Sequence, residues 1–350
     1  MNGEILGAGS YGQVYIKNGK AVKKFAKLSH IIQEYVALEY LKDCQYVVKC
    51  RDVSFEKLEL SMELHDCSLR NYIDEQRLNG PLEEQLILRI IKDILLGLVE
   101  LHDRSLAHGD IKPGNILVKR NPLKCVLGDC GFVSIAKYSK VERTAAVYRD
   151  MVIRHHPSHD IYSLGICCIE LFGDIKISRQ TNYETLKKII KSKIHNKHYS
   201  KFIQSLVHSD YHKRPTARMA LNFLFGLEPA RWNKSNDSLN EYIVKYDSDR
   251  NRKIKEIKDI MKDNAKYYAI NRGKKGYGAL LRYIETHQVS KRDYISYTAV
   301  VLMILSAIFG KSGFREKEAM SLMEEDESEM YKILNELSSD KCFINSLFSP

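Results

Sequence analysis

The stretch Ala107-His108-Gly109-Asp110-Ile111-Lys112-Pro113-Gly114-Asn115 constrains this chain more than any other. An apolar run, Ile116-Leu117-Val118, follows it. A turn at Asn121-Pro122 then leads to a second apolar run, which ends in Gly128-Asp129-Cys130-Gly131. That order spells a tight loop, a β-hairpin and a second loop, with oxygen-bearing side chains at both loop ends. Asp110, Asn115 and Asp129 are hard oxygen ligands or bases. A few oxygens at a loop–strand junction suit Mg²⁺, which keeps the rest of its shell for water and phosphate. Lys112, beside Asp110, can stabilise a phosphoryl group in transfer without neutralising the base.

A second glycine-rich motif opens the chain. Leu6-Gly7-Ala8-Gly9-Ser10-Tyr11-Gly12-Gln13-Val14 has the spacing G-x-G-x-x-G-x-V, with β-prone residues on both sides. Glycines let a backbone approach a triphosphate closely and offer it N–H groups. The spacing alone is shared with ordinary Gly-rich hairpin turns. Here Ala21-Val22-Lys23-Lys24 follows, a short strand. Side chains alternate along a strand, so Lys23 points inward and Lys24 outward. Residues 29–42 then show helical spacing of Ile31, Ile32, Tyr35, Leu38 and Leu41. Glu34 lies on that inward face and needs a partner, for which Lys23 is the natural candidate. Glu39 is the competing choice.

Taken in order, these motifs resemble the eukaryotic protein-kinase family, whose catalytic loop reads H-R-D-x-K-P-x-x-N and whose metal loop reads D-F-G. The resemblance implies an α+β, bilobal protein-kinase fold over residues 1–226. Its small β-rich N-lobe would be 1–64 and its helical C-lobe 65–226. It implies that Asp110 accepts the proton of a substrate hydroxyl, and that Asn115 and Asp129 hold Mg²⁺. Lys23 would fix the ATP phosphates, paired with Glu34. Lys112 is similar to the lysine of the Ser/Thr-specific subclass. ATP would lie against Leu6, Gly7, Gly9, Gly12, Val14 and Ala21, with Met62 behind the adenine and the main chain of Glu63 and Leu64 bonding it. Strands are expected at 47–51 and 58–63, and helices at 66–72 and 85–104. Asp160-Ile161-Tyr162-Ser163-Leu164-Gly165 matches the family's D-x-[WY]-S-x-G helix, and Arg214-Pro215-Thr216 its late R-P-T. Residues 132–159 would form the activation segment, in which Thr144 and Tyr148-Arg149 resemble the run that receives the substrate.

The chain departs from the family in three places. Gly109 replaces the Arg that usually grips an activation-loop phosphate, so activity is expected without phosphorylation of Ser139 or Thr144. Cys130 replaces Phe. The A-P-E motif is missing, so no clear Glu is placed for Arg214. Two other classes share parts of the pattern. H-G-D with an Asn five residues on is also similar to small-molecule phosphotransferases, and the altered loop residues permit a catalytically weak scaffold. Against the first stand Lys112-Pro113, the full glycine loop, the D-x-[WY]-S-x-G helix and R-P-T; against the second stands the complete set of lysine, base and metal residues.

Residues 227–248 are polar and read as a linker. Residues 249–350 can be drawn as five helices, at 253–268, 278–286, 293–309, 315–323 and 327–337. The third is apolar nearly all round, as in the buried helix of a bundle. This arrangement resembles a single cyclin box, with 294–306 as its central helix and 280–289 before it. The position of the family's lysine falls near Ala307, and Glu329 is the nearest partner glutamate. An all-α cyclin-like domain would act as an on-board regulator docking on the 29–42 helix, within one molecule or between two. A linker of about 20 residues has a root-mean-square reach of roughly 25 Å.

Composition adds bounds. The net charge of +11 is spread over the chain and reads as a solvated basic surface, with no nucleic-acid partner implied. The cysteines lack C-x-x-C spacing and read as reduced thiols of a cytoplasmic or nuclear protein. The histidines at 155, 156 and 159 and at 195 and 198 read as solvated loop residues. The longest apolar run, near 299–305, is too short for a bilayer, which takes about 20 residues. No leader segment is expected after Met1.

Overall fold

The computed structural model describes residues 5–9, 12–104, 106–133, 146–148, 156–177, 181–225, 300, 303–304 and 327–348. The first lobe is a five-stranded antiparallel sheet in the order β1-β2-β3-β5-β4. Its strands are β1 (Ile5–Gly9), β2 (Gly12–Lys17), β3 (Lys20–Phe25), β4 (Cys50–Ser54) and β5 (Glu59–Glu63). Asn18 and Gly19, both at positive φ (52° and 70°), make the two-residue turn between β2 and β3. Such a turn twists with the strands it joins. Helix α1 (Leu28–Tyr40) crosses between β3 and β4 and packs on the sheet.

The second lobe is helical. Ser68 caps α2 (Leu69–Gln76), its Oγ accepting from Asn71 N at 3.2 Å. The stripe Ile87, Ile90, Ile91, Ile94, Leu98 and Leu101 buries α3 (Glu84–His102). A small sheet, β6 (Cys67–Ser68), β7 (Ile116–Lys119) and β8 (Lys124–Leu127), lies at the lobe junction, and the Asn121–Pro122 peptide in its turn is cis. Helix α4 (Pro157–Phe172) is buried almost throughout and is the C-lobe's central rod. Helix α6 (Lys197–Leu206) packs on it, α5 (Tyr183–Lys193) packs on α6, and α7 (Ala217–Phe225) packs on α3. Asn182 and Asn196 cap α5 and α6. This is the expected two-lobed architecture.

Several boundaries differ from expectation. The strand expected at 47–51 begins at Cys50, because Val47 instead makes an isolated parallel bridge with Leu127 and ties the hairpin to the N-lobe. The helix expected at 66–72 starts at Leu69, after its Ser68 cap. The activation segment was expected to reach His159, yet α4 already starts at Pro157, whose fixed φ suits a first helical position. His156 and His159 are buried, not solvated, because His156 caps α4 by accepting from Ser158 N at 3.1 Å. His195 is an exposed loop residue, as expected; His198 is exposed but lies in the first turn of α6, not in a loop, with its ring stacked on Phe223.

In the tail, α8 (Glu327–Ser339) matches the fifth expected helix. Residues 300, 303 and 304 of the third are helical, with Val300, Met303 and Ile304 buried. A sixth helix, α9 (Lys341–Phe348), was not expected; Asp340 caps it by accepting from Phe343 N at 2.9 Å. The expected helices at 253–268, 278–286 and 315–323, the linker, Ala307, Ser139 and Thr144 lie outside the described residues.

Candidate active site

Lys23 leaves β3 on its buried face, whereas Lys24 is exposed. The Lys23 Nζ lies 2.5 Å from Glu34 Oε2 and 2.7 Å from Asp129 Oδ1. Glu39 pairs with Lys42 on the helix surface, which settles the choice between the two glutamates. Burial alone would lower the lysine pKa. Glu34 and Asp129 outweigh it and hold the ammonium above the usual lysine range. Asp129 is held below the usual carboxylate range because Lys23 overcomes the upward push of its own burial. Burial pushes the Glu34 carboxyl up, with Lys23 opposing.

Strands β1 and β2, which carry the glycine motif, pair in the same sheet beside β3. Gly9 pairs with Gly12 across the turn between β1 and β2. Gly12 has φ 153°, and a Cβ there would sit 1.8 Å from Lys24 O. The position therefore admits only hydrogen. Ala21 pairs with Met62 on β5, and both are buried, so they flank the base pocket expected at the strand end. The Glu63 N–H is tied to Lys49 O at 2.9 Å. Its carbonyl lies 3.2 Å from His65 Nδ1, so His65 is an additional residue at this edge.

Beneath, two loops are stitched into one unit. Gly128 N donates to Asn115 O at 2.8 Å, and Gly128 O lies 2.9 Å from His108 Nε2. Asn115 Nδ2 donates to both Asp110 O (2.9 Å) and Asp110 Oδ2 (2.6 Å). Lys112 Nζ donates to the same Oδ2 at 2.7 Å. The other oxygen, Asp110 Oδ1, is buried without a hydrogen-bond partner among the described residues. Asp160 at the start of α4 supports the loop, accepting from His108 N (2.7 Å) and Gly109 N (2.8 Å), with His102 Nε2 at 3.0 Å.

The donor set fits a divalent cation with phosphate. Asn115 spends its amide hydrogens on Asp110, which leaves the amide oxygen. Asp129 adds a carboxylate at left-handed φ (52°), aimed back at Lys23. Among the described residues no three His, Cys, Asp or Glu side chains form a closed cage. An open, oxygen-poor site of this kind suits Mg²⁺ that keeps phosphate oxygens in its shell.

The first 225 residues match the model of the protein kinase domain. The chain belongs to the protein kinase family. The kinase domain is similar to the membrane-associated tyrosine- and threonine-specific cdc2-inhibitory kinase of Drosophila melanogaster, 28% identical over 62% of this chain and 45% of that protein. It is also similar to the serine/threonine-protein kinase cst-1 of Caenorhabditis elegans, 34% identical over 47% of this chain and 37% of the relative. A probable serine/threonine-protein kinase, irlB of Dictyostelium discoideum, is 27% identical over 65% of this chain and 18% of its own length. The chain thus spans less than half the length of each of these curated relatives.

Two features of the kinase site were not anticipated. Glu170, inside α4, is 1% exposed and accepts from Arg70 Nη2 (2.6 Å), Tyr148 Oη (2.8 Å) and Ile177 N (3.0 Å). Ser163 Oγ donates to Tyr148 O at 2.7 Å. Tyr148 is thereby anchored on α4. The available signal was a lone carboxylate in the apolar run from Ile166 to Phe172, which must find a cation or donors. The second is Arg214, 2% exposed, whose Nε and Nη1 donate to His208 O (2.8 Å) and Ser158 O (3.1 Å) above the Tyr162 ring. One backbone carbonyl in the first turn of α4 and one just beyond α6 thus receive the R-P-T arginine.

Proposed function

We propose that this chain is a Ser/Thr protein kinase that moves the γ-phosphoryl group of Mg-ATP to a protein hydroxyl. One observation carries the proposal. Asp110 has one carboxylate oxygen committed to Lys112 and Asn115 and the other buried without a partner among the described residues. An unpaired buried acceptor costs free energy, and a substrate O–H would satisfy it. Asp110 then orients the hydroxyl and accepts its proton. Lys112, held at the same carboxylate, faces the charge that develops during transfer. Lys23 binds nucleotide phosphates, kept charged and placed by Glu34 and Asp129. Asn115 and Asp129 are the residues that would hold Mg²⁺, which supplies charge neutralisation at the phosphates. Catalysis of this type rests on position and electrostatics, and these side chains offer both.

The cyclin-like regulation of the tail belongs to the same proposal and is supported by the burial of Val300, Met303 and Ile304. The free thiols of the described cysteines fit a reducing compartment, cytoplasm or nucleus. The test is transfer of labelled γ-phosphate to a basic protein by the full chain and by Asp129→Asn, with phosphoamino-acid analysis of the product. Label on Ser and Thr that Asp129→Asn abolishes is the expected result. Label on a small alcohol alone, or ATP binding without transfer, would overturn it; label on Tyr would change the specificity.

A further inference from the structure

Positive charge is expected to spread over this chain as a solvated surface. On α5 and α6 it is concentrated instead. Residues 183–201 hold six lysines and one carboxylate, Glu184, a net charge of +5 within nineteen residues of a chain whose total is +11. Both helices turn an apolar stripe inward, Leu186 and Ile190 on α5 and Phe202, Ile203 and Leu206 on α6. Lys188, Lys191, Lys193, Lys197 and Lys201 are left exposed. Glu184 is spent on Lys187 at 3.4 Å, and Glu84 of α3 accepts from Tyr199 Oη of α6 at 2.6 Å. Among the described residues no carboxylate forms an ion pair with any of the five exposed lysines. Exposed bases elsewhere in the kinase domain do pair: Lys17 with Glu59, Arg120 with Glu75 and Arg218 with Asp103. Like charges three or four positions apart on a helix repel, and Lys188 with Lys191 and Lys197 with Lys201 have that spacing. The cluster therefore costs stability, which a partner of opposite charge would restore.

We propose that this α5–α6 face is a docking surface for an acidic segment of the protein substrate, separate from the catalytic cleft. This rests on the kinase reading above. Three observations select the partner. The bases of the face are all lysines, compact point charges without the arginine fork that grips phosphate bidentately, and the carboxylates of a flexible peptide need no such fork. Insertion into a lipid surface takes exposed apolar side chains, and the large ones among the described residues are Ile5, Leu6 and Leu78, none of them on these helices. The face also adjoins the element that holds the substrate run. Helix α6 packs on α4, with Phe172 stacked on Tyr199 at 4.6 Å, and α4 anchors Tyr148 through Ser163 and Glu170. Asp160, which fixes the catalytic loop, and Phe172 lie on α4 about 18 Å apart along its axis. An extended peptide covers that span in about six residues. The acidic segment thus lies about six or more residues from the hydroxyl that receives phosphate. It raises the local concentration of that hydroxyl without touching the reacting groups.

The test uses the full chain and two double variants, Lys188→Glu with Lys191→Glu and Lys197→Glu with Lys201→Glu. Binding of a fluorescent oligoglutamate peptide is read by anisotropy at about 0.1 M and about 1 M salt, where the screening length is about 10 and 3 Å. Transfer is measured on one Ser/Thr peptide with and without an oligoglutamate extension. We expect each variant to weaken oligoglutamate binding about tenfold or more, the lower end of what charge focusing supplies, and high salt to do the same to the wild type. KM for the extended peptide should rise by a similar factor, with kcat and the plain peptide unaffected. Binding and KM at wild-type values in both variants would overturn the proposal, as would lost binding with KM unchanged. If charge reversal lowers the urea midpoint, the same pairs changed to Gln decide by the same criteria. Phosphatidylserine vesicles and single-stranded RNA are bound in parallel. Variants that release either of these while holding the peptide would overturn the proposal and give the face to a membrane or to nucleic acid. Oligoglutamate binding that the variants lose, with neither peptide phosphorylated by the wild type, would defeat the kinase reading and leave the acidic-partner surface standing.

Discussion

Asp160 shows how much one side chain does in this protein. Its two oxygens take the N–H groups of His108 and Gly109 and the His102 ring, so one carboxylate fixes the path of the catalytic loop. Burial pushes its pKa up, but His102, with His108 and His159 nearby, brings it below the usual carboxylate value. The unfolded chain therefore binds this proton more readily than the folded one. Stability from Asp160 is present above a pH of about 4 and is lost as pH falls through the lower folded value. Asp160→Asn should lower stability by about 1–3 kcal/mol near neutrality, the usual cost of stranded buried donors, and should flatten the acid slope. Urea midpoints measured from pH 6 to pH 3 check both. Asp110→Asn, in contrast, should leave stability nearly intact. Its turnover should fall by about 10²- to 10⁴-fold, the typical contribution of a positioned general base. Steady-state transfer kinetics beside a urea melt separate the two effects.

At the scale of elements, the hairpin of β1 and β2 depends on one hydrogen. With a Cβ at 1.8 Å from Lys24 O, Gly12→Ala must push β2 off β3 at the point where Lys23 emerges. ATP affinity should fall at least tenfold, about 1.4 kcal/mol, with α3 amides still protected. Titration calorimetry with Mg-ATP would show it. The elements that were legible in the sequence are those whose chemistry is local. Asp110, Lys112 and Asn115 fall within one loop, and Glu34 is picked out from Glu39 by the helical spacing of its apolar neighbours. What escaped was decided by contacts distant in sequence. Val47 leaves the expected strand for Leu127, and Glu170 is buried only because Arg70 and Tyr148 meet it. The burial of His156 and His159 is likewise set by the lobe around α4. Helix α9 is short, and its main local signal is the Asp340 cap.

For the whole molecule, the absent arginine at position 109 bears on how the active site is switched on. Gly109 N is spent on Asp160, and the position carries no side chain to reach a phosphate. The unphosphorylated chain should therefore transfer phosphate, and Ser139→Ala with Thr144→Ala should retain wild-type kcat/KM. Intact mass spectrometry of the active protein checks the first, and initial rates the second. A rate that appears only after activation-loop phosphorylation would refute this.

Helices α8 and α9 pack on α1 in one shared core, which has a consequence for how the protein is born. Chains are made from the N-terminus at about 5–20 residues per second, and early domains fold while later ones are still being synthesised. Here the N-lobe emerges first, but the cover of its helix lies in residues 327–348. A nascent chain can form the sheet and the C-lobe and still lack that cover. Helix α1, which carries Glu34, is thus covered only when α8 and α9 have left the ribosome, and a product that ends before residue 327 is born with that helix uncovered.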